Sequence, residues 1–225
     1  MQNVYFYIGF NDYQRMKKEI NTRRKTTTYS LDWDVVVGLE SRLMREYRNS
    51  NSSIDARELL MISIGVRLGL RVIDNLNLKW KDLIYLNVGE QFIVVEKKTN
   101  KERILVMSSK LKEVLDLVVS ILNPVPSNYI FSSQKGKGLQ PMYIQTFNRL
   151  LKDIMNKYKI KFIGNCSSHL LRKSFVVGSI RKGFEMGDHL SLIKVSRLIG
   201  HSNISTTLKY TNFETSQMLN LYELG

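Results

Sequence analysis

Leu198-Ile199-Gly200-His201-Ser202-Asn203-Ile204-Ser205-Thr206-Thr207-Leu208-Lys209-Tyr210 decides the fold when read with Ser168-His169-Leu170-Leu171-Arg172 upstream. In the first stretch a lone tyrosine follows a histidine, which itself follows a Gly turn. In the second a histidine stands three residues before an arginine, a spacing that puts both on one helix face, a turn apart. Gly69-Leu70-Arg71-Val72-Ile73-Asp74 adds another arginine. Two arginines, two histidines and a tyrosine can thus converge on one phosphate. Each motif alone is weak. The chain has 11 tyrosines, a histidine is often a core-satisfied or helix-terminal imidazole, and paired arginines are often ordinary phosphate-binding or ion-pairing residues.

Composition points the same way. Of 225 residues, 34 are Lys or Arg and 20 are Asp or Glu, a net charge of +14. That balance favours a polyanionic partner, because basic side chains displace counterions from a phosphate backbone. Ribosomal RNA or an acidic membrane surface would satisfy charge alone. The single cysteine, Cys166, excludes an internal disulfide framework and a Cys-based zinc site, which suits a reducing cytoplasm. The three histidines and this cysteine form no ligand cluster, so neither metal nor cofactor is expected. No run of about 18 apolar residues suggests a membrane span. Met1-Gln2-Asn3-Val4-Tyr5-Phe6-Tyr7 lacks the basic start and long apolar core of a secretory signal.

Residues 1–27 read as a separate basic arm. Arg15, Lys17, Lys18, Arg23, Arg24 and Lys25 could lie on DNA phosphates, or form a solvated helix and linker. From Leu31 the apolar spacing turns helical through Val35, Leu39, Leu43 and Tyr47, with Asp32 placed to cap it. A loop is expected at Asn49–Ser53, then a buried helix from Ile54 to Leu68, broken by Gly69. Helical spacing resumes from Val72 to Trp80. Phe92–Glu96 and Arg103–Val106 read as strands joined by the basic turn Lys97-Lys98-Thr99-Asn100-Lys101. Further helices are expected at 110–122, 142–158 and 169–181, a polar loop at 185–191 holding a surface His189, and a helix-turn-helix-like pair at 194–199 and 204–210. A short amphipathic helix is expected at 214–224. The expected fold is mainly α with one small antiparallel β-hairpin.

Together, and in this order, these motifs resemble the active site of the tyrosine recombinases of the phage integrase family. The resemblance covers residues 28–225 and implies that family's catalytic-domain fold. It places Arg71 and Arg172 on the phosphate, where fixed guanidiniums suit the charge that builds on the non-bridging oxygens. It makes Tyr210 the nucleophile, His169 the group assisting its proton, and His201 a donor to a non-bridging oxygen. Lys98 matches the family's hairpin lysine, the general acid for the departing 5′ oxygen; Lys97 and Lys101 beside it are DNA contacts. Asp74 matches an acidic position and would orient an arginine through an ion pair.

The implied activity is site-specific strand cleavage and rejoining through a 3′-phosphotyrosine, for integration, excision or inversion. The implied partner is double-stranded DNA, in a homotetramer on DNA formed by a chain that is monomeric or weakly associated in solution. The implied setting is cytoplasmic and nucleoid-associated, of prokaryotic, viral or mobile-element origin. The family's N-terminal core-binding domain of roughly a hundred residues has no room in 27. The chain therefore looks like a minimal recombinase of the Fim type, or a fragment of a longer integrase. The rival readings are a helix-turn-helix regulator, an inactive DNA-binding relative, and a type IB topoisomerase.

Overall fold

Asp32 does cap the first helix. In the computed structural model, which describes residues 28–211 except 29, 163 and 202, its side chain accepts from the Asp34 N–H at 2.9 Å and starts α1 (Trp33–Ser50). Val36, Leu39, Leu43 and Tyr47 form its buried stripe. The loop expected at 49–53 shrinks to two residues. Asn51 closes α1 in the left-handed conformation, and Ser52 caps α2 (Ser53–Leu68) by accepting from the Ile54 N–H at 3.1 Å. That polar run is a pair of caps back to back, the positions such side chains favour.

Helix α2 is the central element. From Leu59 to Leu70 every residue except Arg67 is buried, as befits a helix covered on all sides. Gly69 ends it with φ 57. The helical spacing after Gly69 yields only α3 (Val72–Leu76). The chain then turns through Asn77 into a single 3-10 turn, Trp80–Asp82, fixed where Asp82 accepts from the Lys79 N–H at 2.8 Å. Strands β1 (Gln91–Val95) and β2 (Glu102–Val106) pair antiparallel, with Ile93 opposite Ile104. Then come α4 (Ser109–Leu122), α5 (Ile144–Lys157) and α6 (His169–Glu185). Helix α6 runs four residues past its expected end, and Ser191, donating to the Ile180 carbonyl at 3.2 Å, starts α7 (Ser191–Leu198) early. The last described helix is α8 (Ile204–Thr211).

Two cores result. The larger gathers α1, α2, α4, α5 and the start of α6. The smaller joins Val176 and Ile180 of α6 to Val195 and Ile199, with Phe175, Leu192 and Tyr210 packed on it. Thr28 bridges to Gly164, so the chain enters beside the start of α6. The basic arm at 15–25 and the helix expected at 214–224 lie outside the described residues. Among the described residues no helix is long and apolar enough to cross a membrane.

Candidate active site

The turn at Gly69 delivers Arg71 to the head of α3. The Arg71 carbonyl accepts from the Asp74 and Asn75 N–H groups at 2.9 and 3.0 Å, and its guanidinium Nη1 lies 2.5 Å from Glu96 Oε2. Helix α6 supplies His169 at its first position and Arg172 one turn later. Arg172 is only 3% exposed. It donates to the Gly69 carbonyl at 2.7 Å and to the Ile199 carbonyl at 2.8 Å. One guanidinium thus ties the turn before Arg71 to the turn before His201.

Gly200, at φ 71, swings the chain from α7 back toward α6. His201 Nδ1 lies 2.9 Å from Thr207 Oγ1, and Thr207 donates to Ser196 Oγ at 2.9 Å. With the hydroxyl proton spent on Ser196, the neutral imidazole donates from Nδ1 and keeps Nε2 as an acceptor. Donation to a phosphate oxygen from Nε2 then needs the protonated ring or a turned Thr207 hydroxyl. Burial, followed by Arg172, Arg71 and Arg103, pushes His201 down to about 4. A phosphate entering the site opposes those cations and favours the protonated ring.

Tyr210, half-buried on the smaller core, meets the His201 ring edge-on, with centroids 5.4 Å apart. Its side chain also reaches the Arg172 guanidinium. Lys173 Nζ stands 5.2 Å over the Tyr210 ring and donates to the Thr28 carbonyl at 2.5 Å. His169 is exposed at the head of α6; partial burial, Arg172, Lys173 and Arg71 lower its pKa.

Arg71, Arg172, His201 and Tyr210 therefore share one cluster, with His169 at its edge. Lys97, Lys98 and Lys101 sit on the exposed turn between β1 and β2, and Lys98 stays at its tip. His189 is exposed on the loop between α6 and α7. Asp74 departs from its expected part. Its Oδ1 accepts from the Lys97 backbone N–H at 2.8 Å, and Glu96 takes the arginine instead. The reason is reach: Asp74 is buried on α3 facing the hairpin backbone, and burial raises its pKa.

Glu96, Arg103, Ser196, Thr207 and Lys173 were not singled out from the sequence. Glu96 and Arg103 had a signal. In β1 the inward positions are Phe92 and Val94, and the next in phase is Glu96; in β2 they are Arg103 and Leu105. A charged residue on the inward phase of a strand asks for a buried partner. Burial and then Arg172 push Arg103 down to about 10. Burial alone would raise the Glu96 carboxyl, but Arg71, Thr99 and Arg103 outweigh it and hold it below the usual range. Three guanidiniums thus face two carboxylates, leaving a positive surplus at the foot of Tyr210.

A family model described as the phage integrase family matches residues 40–217, a span that takes in every residue of this cluster. The chain belongs to the phage integrase family. A tyrosine recombinase, XerD of Staphylococcus saprophyticus, is 28% identical over 171 residues, 74% of this chain and 53% of its own. A XerH site-specific recombinase bound to palindromic difH substrate, a post-cleavage complex, shares the fold with TM-score 0.65 at 22% identity. The match covers 89% of this chain and 53% of that one. A lambda integrase tetramer bound to a Holliday junction matches with TM-score 0.56 at 18% identity, over 90% of this chain and 56% of that one. This phage integrase chain thus spans about half the length of the curated relatives it matches. Among its described residues no group of three or more His, Cys, Asp and Glu side chains could hold a metal ion.

Proposed function

We propose that this chain is the catalytic part of a site-specific recombinase that cuts and rejoins DNA through Tyr210. The observation that carries this reading is one tyrosine lodged between a buried arginine and a cation-surrounded histidine, with Arg71 beside them. Tyr210 Oη attacks phosphorus, forming the Tyr–O–P bond as the P–O5′ bond breaks. Its proton passes toward His169, and Lys98 gives a proton to the departing 5′ oxygen. Arg71 and Arg172 carry the charge on the non-bridging oxygens. Preorganised donors of this kind are each worth about 3–4 kcal/mol. A 5′-hydroxyl attacking the phosphotyrosine reverses the sequence, so the bond energy is retained.

The +14 charge supports duplex DNA as the substrate. A tetramer on a four-way junction follows by likeness to the lambda integrase complex. Lys97, Lys101 and the arm residues Arg15 to Lys25 would then lie along phosphates. The whole chemistry hangs on one hydroxyl. We expect the wild type to form a covalent adduct, seen on a denaturing gel, with a nicked duplex carrying a site selected from a randomised DNA pool. Tyr210→Phe should bind that duplex equally and form no adduct. An adduct of normal yield with Phe at 210 overturns the assignment.

A further inference from the structure

Glu96 is 1% exposed and stands where β1 runs into the basic turn. The proposed chemistry does not use it, yet it meets three parts of the site. Its Oε2 lies 2.5 Å from Arg71 Nη1 and accepts from the Thr99 hydroxyl at 2.6 Å. Its Oε1 faces Arg103 Nη1 at 3.6 Å. Its backbone closes the turn, donating to the Lys101 carbonyl at 2.9 Å and accepting from the Asn100 N–H at 2.8 Å. A second tie runs the other way, from the Lys97 N–H to Asp74 on α3. Arg103 carries the link onward by donating to the Leu198 carbonyl, beside Gly200. A Cβ at Gly200 would stand 3.7 Å from Glu96 Oε1.

We infer that Glu96 is a positioning residue through which the basic turn sets the aim of Arg71. When the turn seats on DNA, the Glu96 carboxylate moves with it and carries the guanidinium toward the phosphate. The inference rests on the recombinase reading above. Arginine is a long, rotamer-rich side chain, and about 1 Å of misplacement can cost on the order of a hundredfold in rate. A buried carboxylate on the neighbouring strand removes that freedom. A purely structural carboxylate would instead balance charge for the fold and leave the reaction indifferent to its contact with Arg71.

A double-mutant cycle separates the two. E96Q keeps the shape and removes the charge; E96D keeps the charge, shortens the reach, and covers the case in which E96Q does not fold. Each is combined with R71A, whose slow residual cleavage is followed over hours on the nicked duplex. We expect either single variant to slow adduct formation by at least about tenfold, with duplex affinity changed by less than about threefold. In the R71A background the same change should add less than about threefold. The defect should persist on a substrate with a 5′-bridging sulfur, which leaves without the lysine's proton. Additive losses, recovery on the sulfur substrate, or unchanged cleavage in E96Q would each overturn the coupling while leaving the recombinase reading intact. A wild type that forms no adduct overturns both.

Discussion

Burial, and then Arg172, Arg71 and Arg103, keep the His201 ring neutral well below its ordinary range, down to about pH 4. In the unfolded chain the same ring takes a proton near pH 6.5, and in the folded site only near 4. Between those values the unfolded state binds more protons, so stability falls as pH drops from about 6.5 to about 4. His169 acts in the same direction. We expect His201 to account for about 2 kcal/mol of this loss, after allowance for its partial exposure. Urea unfolding at pH 7 and pH 4.5 checks it: His201→Gln should lose less stability on acidification than the wild type. Arg172 shows why a motif carries only part of a site. The His-x-x-Arg spacing marks the residue, but its two carbonyl partners, Gly69 and Ile199, come from stretches some hundred and some thirty positions away. Glu96 and Arg103 escaped for a related reason. Alternation gives their inward phase, but their partners are supplied by tertiary contact with α3 and the end of α7.

At the scale of elements, the helices and the hairpin were legible wherever a cap or an apolar period announces them. Asp32 and Gly69 mark ends that the structure keeps, whereas the cap at Ser52 lies within an expected loop. The stretch after Gly69 was harder. Val72, Leu76 and Leu78 follow a helical period, yet Asp82 accepts from the Lys79 N–H and turns the chain into a 3-10 step. A short local hydrogen bond overrode the period. Gly69 itself yields a sharp expectation. At φ 57 a Cβ would lie 2.2 Å from Phe175 Cδ1, so alanine meets both backbone strain and a ring held in the smaller core. We expect Gly69→Ala to cost about 2–4 kcal/mol, lowering the melting temperature by about 5–15 °C. Thermal unfolding followed by circular dichroism measures it. A drop under about 2 °C would mean that Phe175 moves aside freely.

For the whole molecule, charge sets how the chain meets a polyanion. On the recombinase reading, we expect the formal charge of +14 and the exposed lysines of the hairpin turn to make phosphate contact the main source of affinity for DNA. Each phosphate neutralised contributes about −0.9 to the slope of log affinity against log salt. We expect a slope of about −4 or steeper on duplex DNA, and binding no tighter than micromolar at about 150 mM salt. Fluorescence anisotropy across a salt series reads both. A flat line would take electrostatics out of the binding, and tight site-specific binding at that salt would show that this half-length of the relatives suffices alone.

Lys173 gives the molecule one more property. Its ammonium holds the Thr28 carbonyl on one side and faces the Tyr210 ring on the other. The first and last described segments of the chain therefore meet on a single charge. The two ends of the described chain are thus linked through one side chain of α6 as well as through the larger core.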